Sequence, residues 1–94
     1  MTYKLKDNVL LEHVARTYML VALRSAWGEC PFAVQIAPSM AYVWKWLKEG
    51  FSKKAVIARL VSERGFSEVK ARKIFDSFIS SAETYHYLVN ETDR

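Results

Sequence analysis

At Pro38 the spacing of the apolar residues changes from every second position to every third or fourth, which divides the chain into a strand-forming part followed by a helix-forming part. Before the switch, Leu10, Glu12 and Val14 alternate with Leu11 and His13. The next run, Tyr18 to Leu23, is apolar at almost every position, as expected of a central strand covered on both faces. Only Ala15, Arg16 and Thr17 separate these runs, so a tight hairpin is expected, although neither Gly nor Asn is present to take a positive φ. Ser25 to Pro31 reads as a loop broken by Gly28 and Pro31, and Phe32 to Ile36 returns to alternation as a third strand.

After the switch, Pro38 suits a first helical turn because its missing N–H would have no intrahelical partner there. Met40, Val43, Trp44 and Leu47 follow at helical spacing, and Gly50 ends the segment. Phe51 and Ser52 then look like a staple and cap for a second helix, with a buried stripe of Val56, Ile57, Leu60 and Val61 running to Gly65. Phe66 and Ser67 repeat the device. The third helix carries Ala71, Ile74, Phe75, Phe78 and Ala82 on one face, with Lys70, Arg72, Lys73, Asp76 and Ser77 elsewhere around it. Tyr85 to Val89 either extends it or leaves it. The expected fold is α+β: a three-stranded antiparallel sheet followed by three helices, βββααα, winged-helix-like with the sheet placed first, and one domain over residues 1–94.

Composition narrows the function. A hydrophobic content of 51% argues against disorder, while 94 residues leave little room for a deep active site beside a core, which favours binding over catalysis. No apolar run approaches the roughly 18 residues of a membrane span. No secretory signal is visible at the N-terminus, so the cytoplasm is the default. Cys30 is the single cysteine, which excludes an intramolecular disulfide and any multi-cysteine metal site. There is no phosphate loop, zinc-protease signature or nucleophile elbow, so the chain reads as a non-enzyme without cofactor or metal. His13 and His86 read as surface residues and Cys30 as a plain loop cysteine. Trp44 belongs to the core stripe, whereas Tyr42 and Trp46 form an i, i+4 pair on another face that either packs internally or meets a partner. Net charge is +4, and between Lys45 and Lys73 nine Lys or Arg face three Glu, so an acidic partner is expected, nucleic acid or an acidic peptide.

Taken together, the order of elements resembles the PqqD-like family, the RiPP recognition elements. The resemblance rests on the opening Tyr3 to Val14, the strand Tyr18 to Leu23, Ile36-Ala-Pro-Ser-Met-Ala-Tyr-Val-Trp44 at the start of the first helix, and Gly50-Phe-Ser-Lys-Lys-Ala-Val-Ile57. It runs from about Lys4 to Leu88. Ile36-Ala37-Pro38 stands where the family usually has Leu-Asn-Glu, and the ending Tyr85-His-Tyr-Leu88 differs from the family's. The resemblance implies a peptide chaperone of natural-product biosynthesis that binds the leader of a ribosomally made precursor as an added strand. Its partner would be a modifying enzyme: a radical-SAM protein, a cyclodehydratase, or a protease with a cyclase. The pairing edge would be Phe32, Ala33, Val34, Gln35 and Ile36, and the groove wall Lys70, Lys73, Ile74, Ser77 and Phe78, with monomer and homodimer both open. The rival reading is a DNA-binding winged helix with Lys70, Arg72 and Lys73 on phosphates. It ranks second because the hairpin tip offers only Arg16 to a DNA groove. A scaffolding subunit of an enzyme complex is a third.

Overall fold

The computed structural model describes residues 3–28 and 30–88. Met1, Thr2, Glu29 and residues 89–94 lie outside the described residues, including Val89 of the segment that the sequence leaves open. The elements are β1 (Val9–Val14), β2 (Thr17–Ala22), a 3-10 turn (Arg24–Ala26), β3 (Ala33–Ile36), α1 (Pro38–Lys48), α2 (Lys53–Arg64) and α3 (Glu68–Thr84). The strands form one antiparallel sheet in the order β1-β2-β3, so the expected βββααα arrangement is the observed one. None of the helices among the described residues is long and apolar enough to cross a membrane.

Register explains which face is covered. Leu11, Leu20 and Val34 lie opposite one another across the three strands, and side chains alternate from there. Val9, Leu20 and Ala22 are buried beneath the helices, whereas Leu10 on the other face is 44% exposed and Val21 beside it is half-buried. The expectation that β2 is covered on both faces is therefore corrected: the helices pack on one face, and the apolar run of β2 is left half-wet on the other. One further expectation shifts: Val61 is exposed rather than buried. Of the two readings left open for Trp46, internal packing is the observed one: Phe51 folds back so that its N–H donates to the Trp46 carbonyl at 3.1 Å, and the Arg59 guanidinium lies over both rings.

The turns follow local chemistry. Ser52 and Ser67 accept from the N–H of Ala55 and Lys70, each at 3.2 Å, and so cap α2 and α3. Gly50, at φ +97°, closes α1. His86 plays the same part for α3 without being glycine. It sits at φ +63°, the N–H of Tyr87 donates to the Ala82 carbonyl at 2.8 Å, and that of His86 donates to Glu83 at 3.3 Å. The helix ends there. Beyond it, Leu88 forms a bridge with Leu5, and the Lys6 N–H donates to the Tyr87 carbonyl at 2.8 Å.

The β1–β2 hairpin turns on Ala15 and Arg16 alone, and Ala15 takes φ +57°. An alanine there suffers a clash worth about 1–2 kcal/mol, which glycine would relieve. The freer unfolded chain of the glycine variant offsets about 0.4–1 kcal/mol of that. Ala15→Gly is expected to raise stability by roughly 0.5–1 kcal/mol, seen as a higher urea midpoint at unchanged slope.

Candidate functional site

β3 is the outer strand of the sheet, and its backbone alternates between two directions. The Ala22 N–H donates to the Phe32 carbonyl at 2.9 Å, and the register then makes Leu20–Val34 and Tyr18–Ile36 the hydrogen-bonded pairs. It follows that the N–H and C=O of Ala33 and Gln35 point away from β2. Among the described residues no strand pairs with that side. Four main-chain groups in a row thus face outward at ladder spacing, the arrangement that a further strand can pair with.

Beside this edge lies a trough of about 190 Å³. Val34, Gln35 and Ile36 form one wall, Ala37 and Met40 one end, and Phe78, Ser81, Ala82, Tyr85 and Tyr87 the other wall. Among the described residues no acidic or basic side chain lines it. The spacing 78, 81, 82, 85 is one helical stripe, so the C-terminal half of α3 stands against β3.

The site residues expected from the sequence therefore separate into two groups. Val34, Gln35, Ile36 and Phe78 meet at the trough, with Ala33 next along the same edge and Phe32 exposed just before the strand. Lys70, Lys73, Ile74 and Ser77 are not among its lining residues. Ile74 is turned into the core, 9% exposed, and Glu68 and Arg72 of the N-terminal half of α3 border a hollow shared with α2. There Lys53 pairs with Asp76 at 3.5 Å, and this wider hollow of about 830 Å³ is bordered by Lys53, Lys54, Ile57, Val61, Glu68 and Arg72. Arg72 is held by Glu68 at 2.9 Å within α3. Of the expected groove wall, Phe78 lines this trough, whereas Lys70 and Lys73 lie outside its lining. Ser81, Ala82 and Tyr85, which the sequence reading does not single out as groove residues, also line the trough. The signal was present: small residues one turn beyond Phe78, followed by an aromatic residue, on the stripe that the core face extends.

Tyr87 closes the floor of this region. Its ring meets Trp44 edge-on at 5.6 Å, and it is 2% exposed with a hydroxyl that finds no hydrogen-bond partner among the described residues. Burial, with smaller contributions from the neighbouring Cys30 and Tyr85, pushes its pKa up to about 12. The fold's preference for the neutral phenol is complete below about pH 10, where an unfolded tyrosine is still protonated, and is lost as pH rises towards 12. Alkaline titration followed by phenolate absorbance is expected to show Tyr87 ionising after an ordinary tyrosine, with unfolding becoming easier over the same window; Tyr87→Phe should remove that component.

Cys30 and His13 both have partners within the fold. Cys30 is buried, and its thiol donates to the His86 carbonyl at 3.3 Å, tying the β2–β3 connection to the end of α3. His13 is exposed and stacks on Tyr18 at 4.2 Å between ring centres.

No protein-family model matches the sequence. No curated protein matches it either. Among solved structures, this chain is similar to TbiB1 in complex with the TbiA(beta) leader peptide, at a TM-score of 0.73 and 16% identity, covering 96% of this chain and 99% of that one. The two chains share a fold. The likeness covers nearly the whole length of both chains.

Proposed function

We propose that this chain is a non-catalytic peptide-binding module, one that takes up the leader of a ribosomally synthesised precursor as a fourth strand and presents it to a modifying enzyme. The observation that carries the reading is the outward-facing main chain of Ala33 and Gln35 running beside an uncharged trough. Main-chain pairing supplies affinity that tolerates sequence, and the trough selects one apolar side chain of the guest. The similar structure supports the same use, because TbiB1 is described as bound to a leader peptide.

The trough's chemistry changes what is expected of the basic residues. Lys73 is exposed and stands outside the trough's lining, five residues before Phe78 on α3, a separation of about 7.5 Å at 1.5 Å per residue, so its charge reaches a guest only through screening solvent. Ser81 is exposed and lines the trough, so a large side chain there fills the space without disturbing the core. In calorimetric titration with the leader of a precursor peptide encoded beside this gene, Ser81→Trp is expected to weaken binding about tenfold or more, and Lys73→Glu to change it less than about threefold. Full affinity in the Ser81 variant would remove the trough from the mechanism. Tight duplex DNA binding that falls steeply with salt would instead favour the winged-helix reading.

A further inference from the structure

Two large aromatic side chains are left in water immediately before β3. Trp27 is 49% and Phe32 is 65% exposed, and their ring centres are 5.5 Å apart. They are not loosely placed. The Trp27 indole N–H donates to the Ala22 carbonyl at 2.9 Å, and the Ala22 N–H donates to the Phe32 carbonyl at 2.9 Å. In an antiparallel strand both groups of one residue point to the same side, so the indole stands on the β3 side of β2 and continues the line of β3 past its first residue. The Arg24 guanidinium lies 5.5 Å from the Trp27 ring centre, and among the described residues it makes no ion pair.

We propose that Trp27 and Phe32, with Arg24 beside them, form a second recognition subsite, which takes an apolar side chain and an adjoining acidic one from guest residues just C-terminal to the strand that pairs with β3. This rests on the strand-addition reading. Direction follows from the sheet, which is antiparallel throughout: a guest pairing in the same sense has its N-terminal end by Ile36 and its C-terminal end by Ala33, so the next residues pass over the shelf. The shelf is continuous with the pairing edge. Exposed Trp and Phe next to an Arg are the residue types that concentrate binding energy when a partner dries them, and the unpaired guanidinium selects a carboxylate over an amine. The trough would read one side chain of the guest and the shelf a second, two recognition points joined by the paired strand.

The test uses a displayed library of random twelve-residue peptides, selected on the full chain and on three variants. Gln35→Pro blocks the pairing edge, while Phe32→Ser and Arg24→Glu alter the shelf with β3 intact. Peptides enriched on the wild type are expected to share an apolar–acidic pair C-terminal to a strand-forming core. They should fail on Gln35→Pro, lose about tenfold in affinity on Phe32→Ser, and exchange the acidic preference for a basic one on Arg24→Glu. Trp27 is exposed while Trp44 and Trp46 are buried, so binding should also protect tryptophan emission from acrylamide. Peptides that need Gln35 but bind both shelf variants equally would overturn the subsite and leave strand addition standing. Binding indifferent to Gln35→Pro, or no enrichment at all, would overturn both. A wild-type dimer seen by sedimentation that Phe32→Ser dissociates, with peptide binding unchanged, would overturn the subsite in favour of contact between copies.

Discussion

Gln35→Pro is expected to lower affinity for a leader peptide by roughly thirty- to a hundredfold while the protein stays folded. The Gln35 N–H points away from β2, so proline there takes no hydrogen bond from the native ladder, and its fixed φ lies within the extended range that an edge strand tolerates. The loss falls on the guest. One donor disappears, the opposing guest carbonyl is left unpaired at about 1–3 kcal/mol, and the ring obstructs the backbone on either side. At 1.4 kcal/mol per factor of ten, a total of about 2–3 kcal/mol gives the stated range. Val34→Pro is the control. Its N–H belongs to the pair with Leu20, so it should cost stability first, and comparing thermal midpoints of the two variants checks the assignment of inward and outward groups.

The largest effect on stability is expected at Phe75. It is fully buried, meets Tyr3 edge-on at 5.6 Å, and has the Lys53 ammonium 5.6 Å from its ring centre, so it joins the N-terminal segment, α2 and α3 at one point. Truncation to alanine should cost about 3–5 kcal/mol, the loss of transfer energy plus an unfilled cavity. A domain of this size has about 5–14 kcal/mol in all, so the truncation would remove a large share of the stability. With a urea slope near 1.5 kcal/mol per molar, the midpoint should fall by about 2–3 M. A shift below about 1 M would mean that the site collapses to fill the space.

The limits of the first two helices and the start of the third were legible because each has its own chemical mark. Ser52 and Ser67 precede their helices, and Gly50 and Gly65 follow theirs, so the expected and observed limits agree closely. Other features were less legible, for different reasons. The backbone of the turn at Ala15, inside the expected hairpin, and the helix stop at His86 both use left-handed conformations on residues that carry a Cβ, so no glycine announces them. The burial of Trp46 depends on Arg59 reaching across from the next helix, a contact between elements that periodicity within one helix does not encode. The position of the trough along α3 has a rotational reason. The sequence shows that Phe78 lies on the core face of α3, but which half of a seventeen-residue helix faces β3 and which faces α2 is decided by tertiary packing. The charge pattern drew the eye to Lys70 and Lys73, whereas the uncharged turn formed by Ser81 and Ala82 is the part that stands beside the open edge.

The bond from Lys6 to Tyr87 joins residues near opposite ends of the chain, so closing it restricts nearly the whole polypeptide at once. Such a latch is the slowest kind of contact to be won during folding, and its amide proton should exchange with solvent only when the two ends part. Because Tyr87 also forms part of the trough, any opening of that latch deforms the cleft, and peptide occupancy should in turn slow exchange at Lys6, far along the sequence from the strand that holds the guest.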